Sequence, residues 1–264
     1  MIHLNAWAIG ETTVPLLASG NPAIVMGVTS RGVFLRLGQG VVFLSSEPYR
    51  GPLTVNLVAG LPPGLEAGAQ IAFDVILSDS EGSSHPARSA YPQLASEIAW
   101  DRAGVNDRLS RMIDLVLAAR PHGDTSDLLR ELRPEAPLPD LLPLLGRGEG
   151  LTPWGDDLII GLLLARCYIQ PDDDFAALAG QLTAAAFSKT SLLSANLIAC
   201  AARGLADERL LLGLSALLAG EPAVAAGADA LLGWGSTSGV AALAGMACEI
   251  LRCARDPSLA LRMT

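Results

Sequence analysis

The residues best suited to chemistry stand in a glycine-rich run, GRGEGLTPWGDD, over Gly146–Asp157. Glycine admits positive φ and lets a ligand approach the backbone closely. The run leads into an apolar stretch that reads as a helix, and a helix start carries N–H groups that favour an anion. Gly148, Gly150, Thr152 and Gly155 therefore form a candidate anion cradle, with the Thr152 hydroxyl as an extra donor. Asp156 and Asp157 place two carboxyls beside it and are the candidate catalytic acid–base residues. A tight interhelical turn with a capping aspartate would account for the same residues. The Gly-Lys-Ser/Thr ending of a Walker A loop is absent, so a P-loop is excluded.

A second run of the same kind, GWGSTSG over Gly233–Gly239, again opens onto a helical stretch. Gly235 and Gly239 free the backbone, and Ser236, Thr237 and Ser238 offer hydroxyls. A third segment, Ser188-Lys189-Thr190-Ser191 with Ser194 one turn later, supplies the cation of Lys189 and further hydroxyls at Thr190, Ser191 and Ser194. A plain N-cap explains either segment taken alone. Their recurrence in one region points to a shared purpose. Two helix N-termini converging on one spot make a phosphate or carboxylate site. Gly148–Asp157 and Gly235–Gly239 are accordingly expected to line one cavity, with Thr190, Ser191 or Ser194 on its wall.

Other chemistries find little support. His3, His85 and His122 are the only histidines, the last two in turn-rich sequence, and no HExxH, GxSxG or Cys/His cluster occurs. Asp172-Asp173-Asp174 reads as a solvated helix start, because consecutive carboxylates there point in different directions. Cys167, Cys200, Cys248 and Cys253 form no CxxC pair and read as reduced core or near-core thiols, which fits a cytoplasmic location. A net charge of −9 without a basic cluster excludes a nucleic-acid footprint and disfavours an anionic membrane surface. No secretory signal is visible at MIHLNAWAIGETT, and the apolar runs Leu158–Ala165 and Leu210–Ala219 are far short of the roughly 20 residues that span a bilayer.

The elements that must position these loops divide in two. Residues 1–80 read as a small antiparallel β barrel or sandwich, with strands at Ala23–Val28, Val33–Leu37, Val41–Leu44, Leu53–Val58 and Ile71–Leu77 between glycine and proline turns. The polar stretch within residues 81–94 reads as a linker. From residue 95 the period turns helical, giving an α+β chain whose helical domain, 95–264, carries the glycine-rich loops. Helices are predicted at Asp156–Tyr168, Asp172–Phe187, Thr190–Arg203, Asp207–Ala219, Pro222–Leu232 and Ser238–Ala254, with a helical stretch around residues 98–117 and a short helix at Ser126–Leu132. Several are apolar on most faces and must be buried against one another.

Taken together and in this order, the three segments resemble the AllH-like family, a bacterial family that includes a subunit of the oxamate carbamoyltransferase of allantoin degradation. The resemblance lies in Gly148-Glu149-Gly150-Leu151-Thr152-Pro153-Trp154-Gly155-Asp156-Asp157, in Thr190-Ser191-Leu192-Leu193-Ser194 with Ala201, Gly204 and Glu208 downstream, and in Gly235–Gly239. It is strongest over residues 145–250. It implies transfer of a carbamoyl group between an oxamate-type amine and phosphate, in company with other subunits, one of them like an acyl-CoA synthetase. Such a site must hold phosphate, carbamoyl phosphate or a small carboxylate and stabilise an oxyanion. Trp154 and Trp234 stand where relatives carry small or polar residues, so they are expected to line a flatter, more apolar pocket. No cofactor is implied by a ligand motif, and Mg²⁺ bridging a carboxylate to phosphate stays open. The carboxylates of Asp156 and Asp157 are expected to turn towards the amine side and not to touch the anion. Two other readings stay open: a non-catalytic scaffolding or binding subunit of an acyl-CoA-synthetase-like complex, and a stand-alone small-molecule sensor.

Overall fold

The computed structural model describes residues 2–78, 84–85, 100–132 and 140–255. The chain falls into two compact units, Met1–Gln93 and Leu94–Thr264.

The first unit is one mixed sheet of eight strands: β1 (Ile2–Ile9), β2 (Ala23–Val28), β3 (Gly32–Leu37), β4 (Gly40–Ser45), β5 (Thr54–Leu57), β6 (Gln70–Ile71), β7 (Phe73–Ser78) and β8 (Ser84–His85). The sheet order is β6-β2-β3-β4-β5-β1-β7-β8. Only Ala72 separates β6, which pairs with β2, from β7, which pairs with β1. The chain thus passes from one margin of the sheet to the far side, and the sheet must curl to allow it. Leu4, Val25, Leu35, Leu44, Val55 and Leu77, from six strands, accordingly share one buried cluster.

The antiparallel expectation needs correcting. β4 pairs with β5 in parallel, and so does β1 with β7. Parallel neighbours need a crossover, and residues 46–53 supply one between β4 and β5. The buried Asn56 amide ties this crossover down, donating to the carbonyls of Glu47 at 3.0 Å and Tyr49 at 2.8 Å. A short helix, α1 (Thr13–Ala18), also lies in what reads from sequence as an all-strand region. Strand β8 falls inside the stretch expected as a linker and pairs antiparallel with β7. The rest of that stretch lies outside the described residues.

The second unit is helical: α2 (Val105–Ala119), α3 (Asp124–Glu131), α4 (Trp154–Ile169), α5 (Asp173–Lys189), α6 (Leu192–Ala201), α7 (Glu208–Leu218), α8 (Val224–Gly233) and α9 (Ser238–Arg255), with a 3-10 turn at Leu142–Leu144. None of the described helices is long and apolar enough to cross a membrane. Leu158–Ala165 is a fully buried stretch of α4, and the reason is its packing against α9. A Cβ on Gly161 would sit 2.0 Å from the Ala242 carbonyl oxygen, and one on Gly245 would sit 1.9 Å from that of Leu158. The two backbones touch because both helices present small residues at their seam, and glycine permits that approach.

Three pairings fix the direction of this helix pair. Asp157 of the first turn of α4 neighbours Ser238 at the start of α9. Gly161 meets Ala242. Arg166 near the end of α4 meets Glu249. Helices α4 and α9 therefore run parallel, with both N-termini at one end and both C-terminal halves at the other.

Candidate functional site

The glycine-rich run packs against the first turn of α4. Gly146, Gly148 and Gly150 have φ of 75°, 116° and 95°, which only glycine adopts without strain. Gly148 lies against Trp154, where a Cβ would come within 2.5 Å of the indole. The Arg147 guanidinium covers the same ring at 5.2 Å, a cation–π contact. Trp154 is therefore packed against its own loop, and the fit explains a bulky residue beside so many glycines.

The three segments singled out from sequence meet through direct hydrogen bonds. The hydroxyls of Thr152 and Ser238 lie 3.2 Å apart, joining the first loop to the start of α9. The Ser191 hydroxyl donates to the Leu151 carbonyl at 2.8 Å and also caps α6, accepting from the Ser194 N–H at 3.1 Å. Thr190 donates to Asp156. Lys189 is exposed, and its backbone carbonyl is what Gly146 packs against. Ser194 is fully buried with no hydrogen bond to its hydroxyl. Ser236 and Thr237 are exposed on the loop before α9, while Gly239 is buried, its missing side chain making room for the Leu231 carbonyl. Trp234 is half-buried at the end of α8, and its carbonyl accepts from the Gly239 N–H at 3.0 Å. Arg209, ion-paired with Asp207, donates to the Gly233 carbonyl at 3.0 Å and so fixes the end of α8 from which this loop departs.

The backbone donors are not where a simple helix-start picture puts them. The N–H groups of Gly155, Asp156 and Asp157 bond to the carbonyls of Arg147 and Pro153, and those of Gly239, Val240 and Ala241 bond to Trp234 and Thr237. Among the described residues, the N–H groups of Glu149–Thr152 and Gly235–Ser238 bond to no other backbone group. The donors open to a ligand therefore sit in the two loops, one step ahead of the helices.

The two aspartates, adjacent in sequence, do different things. Both are fully buried. Asp156 accepts from the Gly146 N–H at 2.8 Å with one oxygen and from the Thr190 hydroxyl with the other. It is a latch between the loop, α4 and the α5–α6 turn. Asp157 has neither oxygen hydrogen-bonded. The hydroxyls of Ser238 and Thr152 stand beside it, but they bond to each other. Burial pushes the Asp157 carboxyl up to about 8, aided by the neighbouring Asp156 charge and only partly offset by the two hydroxyls. At neutral pH it is chiefly a carboxylic acid. The expectation that both carboxyls turn away from the anion donors thus fails for Asp157, because its place on α4 sets it against Thr152 and Ser238.

Mg²⁺ fits this arrangement poorly. Asp156 has both oxygens occupied, Asp157 is largely uncharged, and no group of three His, Cys, Asp or Glu residues able to hold a metal occurs among the described residues.

Arg147 is a residue that sequence reading passed over, although it is the one cation within the loop itself. A second cluster went unread altogether. At the far end of the helix pair the fully buried Glu249 pairs with Arg252 at 2.6 Å and lies 3.9 Å from Arg166, which also faces Asp172 at 3.6 Å. Arg252 reaches Gln170 at 3.2 Å. Their separation in sequence, with Arg166 on α4 and Glu249 on α9, hides the pairing. Burial pushes the neighbouring thiols of Cys248 and Cys253 up to about 11 and about 12, so both are unreactive.

The family model described as oxamate carbamoyltransferase subunit AllH matches residues 144–250, from the loop before α4 to near the end of α9. Across this segment the chain is AllH-like. No curated protein and no solved structure matches the chain. The AllH-like segment contains every candidate site residue, the Asp156 latch, the whole of α4 and most of α9.

Proposed function

We propose that this protein is a carbamoyltransferase-type subunit that binds phosphate, carbamoyl phosphate or a small carboxylate where the 148–157 and 235–239 loops meet. The observation that carries this reading is the 3.2 Å contact between the Thr152 and Ser238 hydroxyls at the N-termini of two parallel helices. Each helix end carries roughly half a positive charge. Two such ends side by side, fronted by loop N–H groups and hydroxyls, favour an anion even on a chain of net charge −9. Arg147 is a cation within the loop, and Lys189 is the residue whose carbonyl Gly146 packs against.

In a transfer reaction the loop donors would hold the phosphate and take up charge on the carbamoyl oxygen. Asp156 keeps the loop in place. Asp157 stands by as a proton-bearing group of near-neutral pKa, the range in which acid–base catalysis is most effective. The family description names a subunit, and the working enzyme on this reading includes partner subunits.

Titration calorimetry with phosphate and carbamoyl phosphate tests the reading. Binding by the protein, alone or with its partner subunits, is expected to weaken when Thr152 and Ser238 are both changed to Ala. Two lost neutral hydrogen bonds at about 1 kcal/mol each predict a loss of roughly tenfold or more. Absence of binding in every form would remove the proposal and leave a scaffolding subunit as the better description.

A further inference from the structure

Asp157 raises a problem for an anion site. A carboxylate buried against the hydroxyls that should hold an anion would repel it. The sequence motif sets two acidic residues in the first turn of α4, where a helix N-terminus ordinarily favours their charged forms. The structure uses that preference for Asp156 alone, through the Gly146 N–H and the Thr190 hydroxyl. Asp157 is left fully buried with neither oxygen in a well-formed hydrogen bond, beside two hydroxyls that bond to each other and stabilise its charged form only in part. Buried polar atoms without partners are rare and costly, by about 1–3 kcal/mol each. One such group, at the end where two helix N-termini come together, marks a place for a missing acceptor.

We infer that Asp157 is a ligand-binding residue that acts in its acid form, donating its carboxyl hydrogen to an oxygen of a small tetrahedral oxyanion held between Thr152 and Ser238. The inference rests on the anion-site reading above and adds to it the group that makes the site selective. Thr152 and Ser238 exchange their mutual hydrogen bond for bonds to the anion. Asp157 gains the acceptor it lacks. The Asp156 charge, already committed to Gly146 and Thr190, stays where it is.

The charged and titratable groups around Asp157 are few. On its own helix, Asp156 is adjacent, and Arg166, Cys167 and Tyr168 lie more than two turns away. On α9, Cys248, Glu249, Arg252, Cys253 and Arg255 all lie more than two turns beyond Ser238, with Glu249 paired to Arg252. On α6 the only titratable side chain is Cys200. Lys189 at the end of α5 is exposed, as are Arg147 and Glu149 in the loop. The charge that acts on Asp157 is that of Asp156.

The consequence is binding that fails at alkaline pH. Asp157 loses its proton around pH 8 in the free protein. Above that the site must hold a carboxylate against the anion. Sulfate is the useful probe, since its charge is constant over the range, with inorganic phosphate beside it. Calorimetry of the full chain from pH 6 to pH 9 should show sulfate affinity falling about tenfold between pH 7 and pH 9. Asp157→Asn keeps an N–H donor of the same shape without a proton to lose. Whatever its affinity at pH 6, its sulfate binding should not fall between pH 7 and pH 9. Asp157→Leu should abolish the binding at all pH values, with thermal melting confirming that the variant is folded. Sulfate or phosphate binding that is as pH-dependent in Asp157→Asn as in the wild type would overturn this inference and leave the anion site standing. Sulfate or phosphate binding that survives in folded Asp157→Leu would do the same. Absence of both anions from the wild type at every pH would overturn the anion site and this inference with it.

Discussion

The parallel helices α4 and α9 bury ionisable side chains at both ends, and the two ends treat them in opposite ways. At the C-terminal end Glu249, Arg252, Arg166 and Asp172 compensate one another in charge, although the Arg166 Nε makes no hydrogen bond, and the arginines lie near helix C-termini where cations are favoured. At the N-terminal end Asp157 is buried with no counter-charge and no well-formed hydrogen bond, only the Thr152 and Ser238 hydroxyls beside it. The first arrangement is what a protein does to keep a buried charge. The second is one that folding alone does not favour, and uncompensated ionisable groups of that kind gather where ligands bind. Adjacent Asp156 supplies the control: same helix, same depth, both oxygens satisfied.

The contrast can be broken or sharpened by stability measurements. The largest effect is expected for Asp157 itself. Its folded pKa of about 8 lies above its unfolded value of 3.8. Its contribution to stability is therefore full below pH 4 and is lost as pH rises towards and through 8. Urea unfolding of the wild type and Asp157→Asn across pH 4–9 should show the difference moving in favour of Asn by up to about 5 kcal/mol. A pH-independent difference would mean that Asp157 is compensated after all.

Glu249→Ala should act in the opposite sense, costing about 3–5 kcal/mol, because Arg166 and Arg252 are left without their buried partner. A cost under 1 kcal/mol would show that the far cluster is not the compensated end it is taken to be. Asp156→Ala should cost at least about 3 kcal/mol, since hydrogen bonds to a charged group are worth ~1.5–3 kcal/mol each and two are lost. Equal costs for Asp156→Ala and Asp157→Ala at pH 7 would erase the distinction between the neighbours. Gly161→Ala should cost about 2 kcal/mol by forcing α4 off the Ala242 carbonyl. Because it parts the helix pair, it should also weaken anion binding, although it lies a full turn from Asp157.

Much of this was legible in the sequence, for reasons that can be named. Ser238 and Gly239 announce α9, and Gly204 and Gly220, both at positive φ, mark where α6 and α7 give out. The loop-helix junction at Gly148–Asp157 was readable because glycine, proline and aspartate each have a local job there. Strand β1 was harder. Its inward positions are Leu4, Ala6 and Ala8, and its outward ones include Trp7, so the apolar alternation is weak and partly inverted. The parallel pairs β4–β5 and β1–β7 were not readable, since register across a crossover is set by the whole sheet. The difference between Asp156 and Asp157 was also hidden. It depends on Gly146, Thr190 and Ser238, each brought in from another part of the chain.

The central claim is that Asp157 carries a proton at neutral pH, and the proton can be seen directly. Infrared difference spectra between the wild type and Asp157→Asn, recorded from pH 5 to pH 9, isolate the carboxylic acid C=O stretch of this one residue. The band should be present at pH 7 and disappear around pH 8, and added sulfate at pH 7 should shift it as the hydroxyl finds an acceptor. A carboxylate spectrum throughout, with ionisation complete below pH 5, would contradict the account.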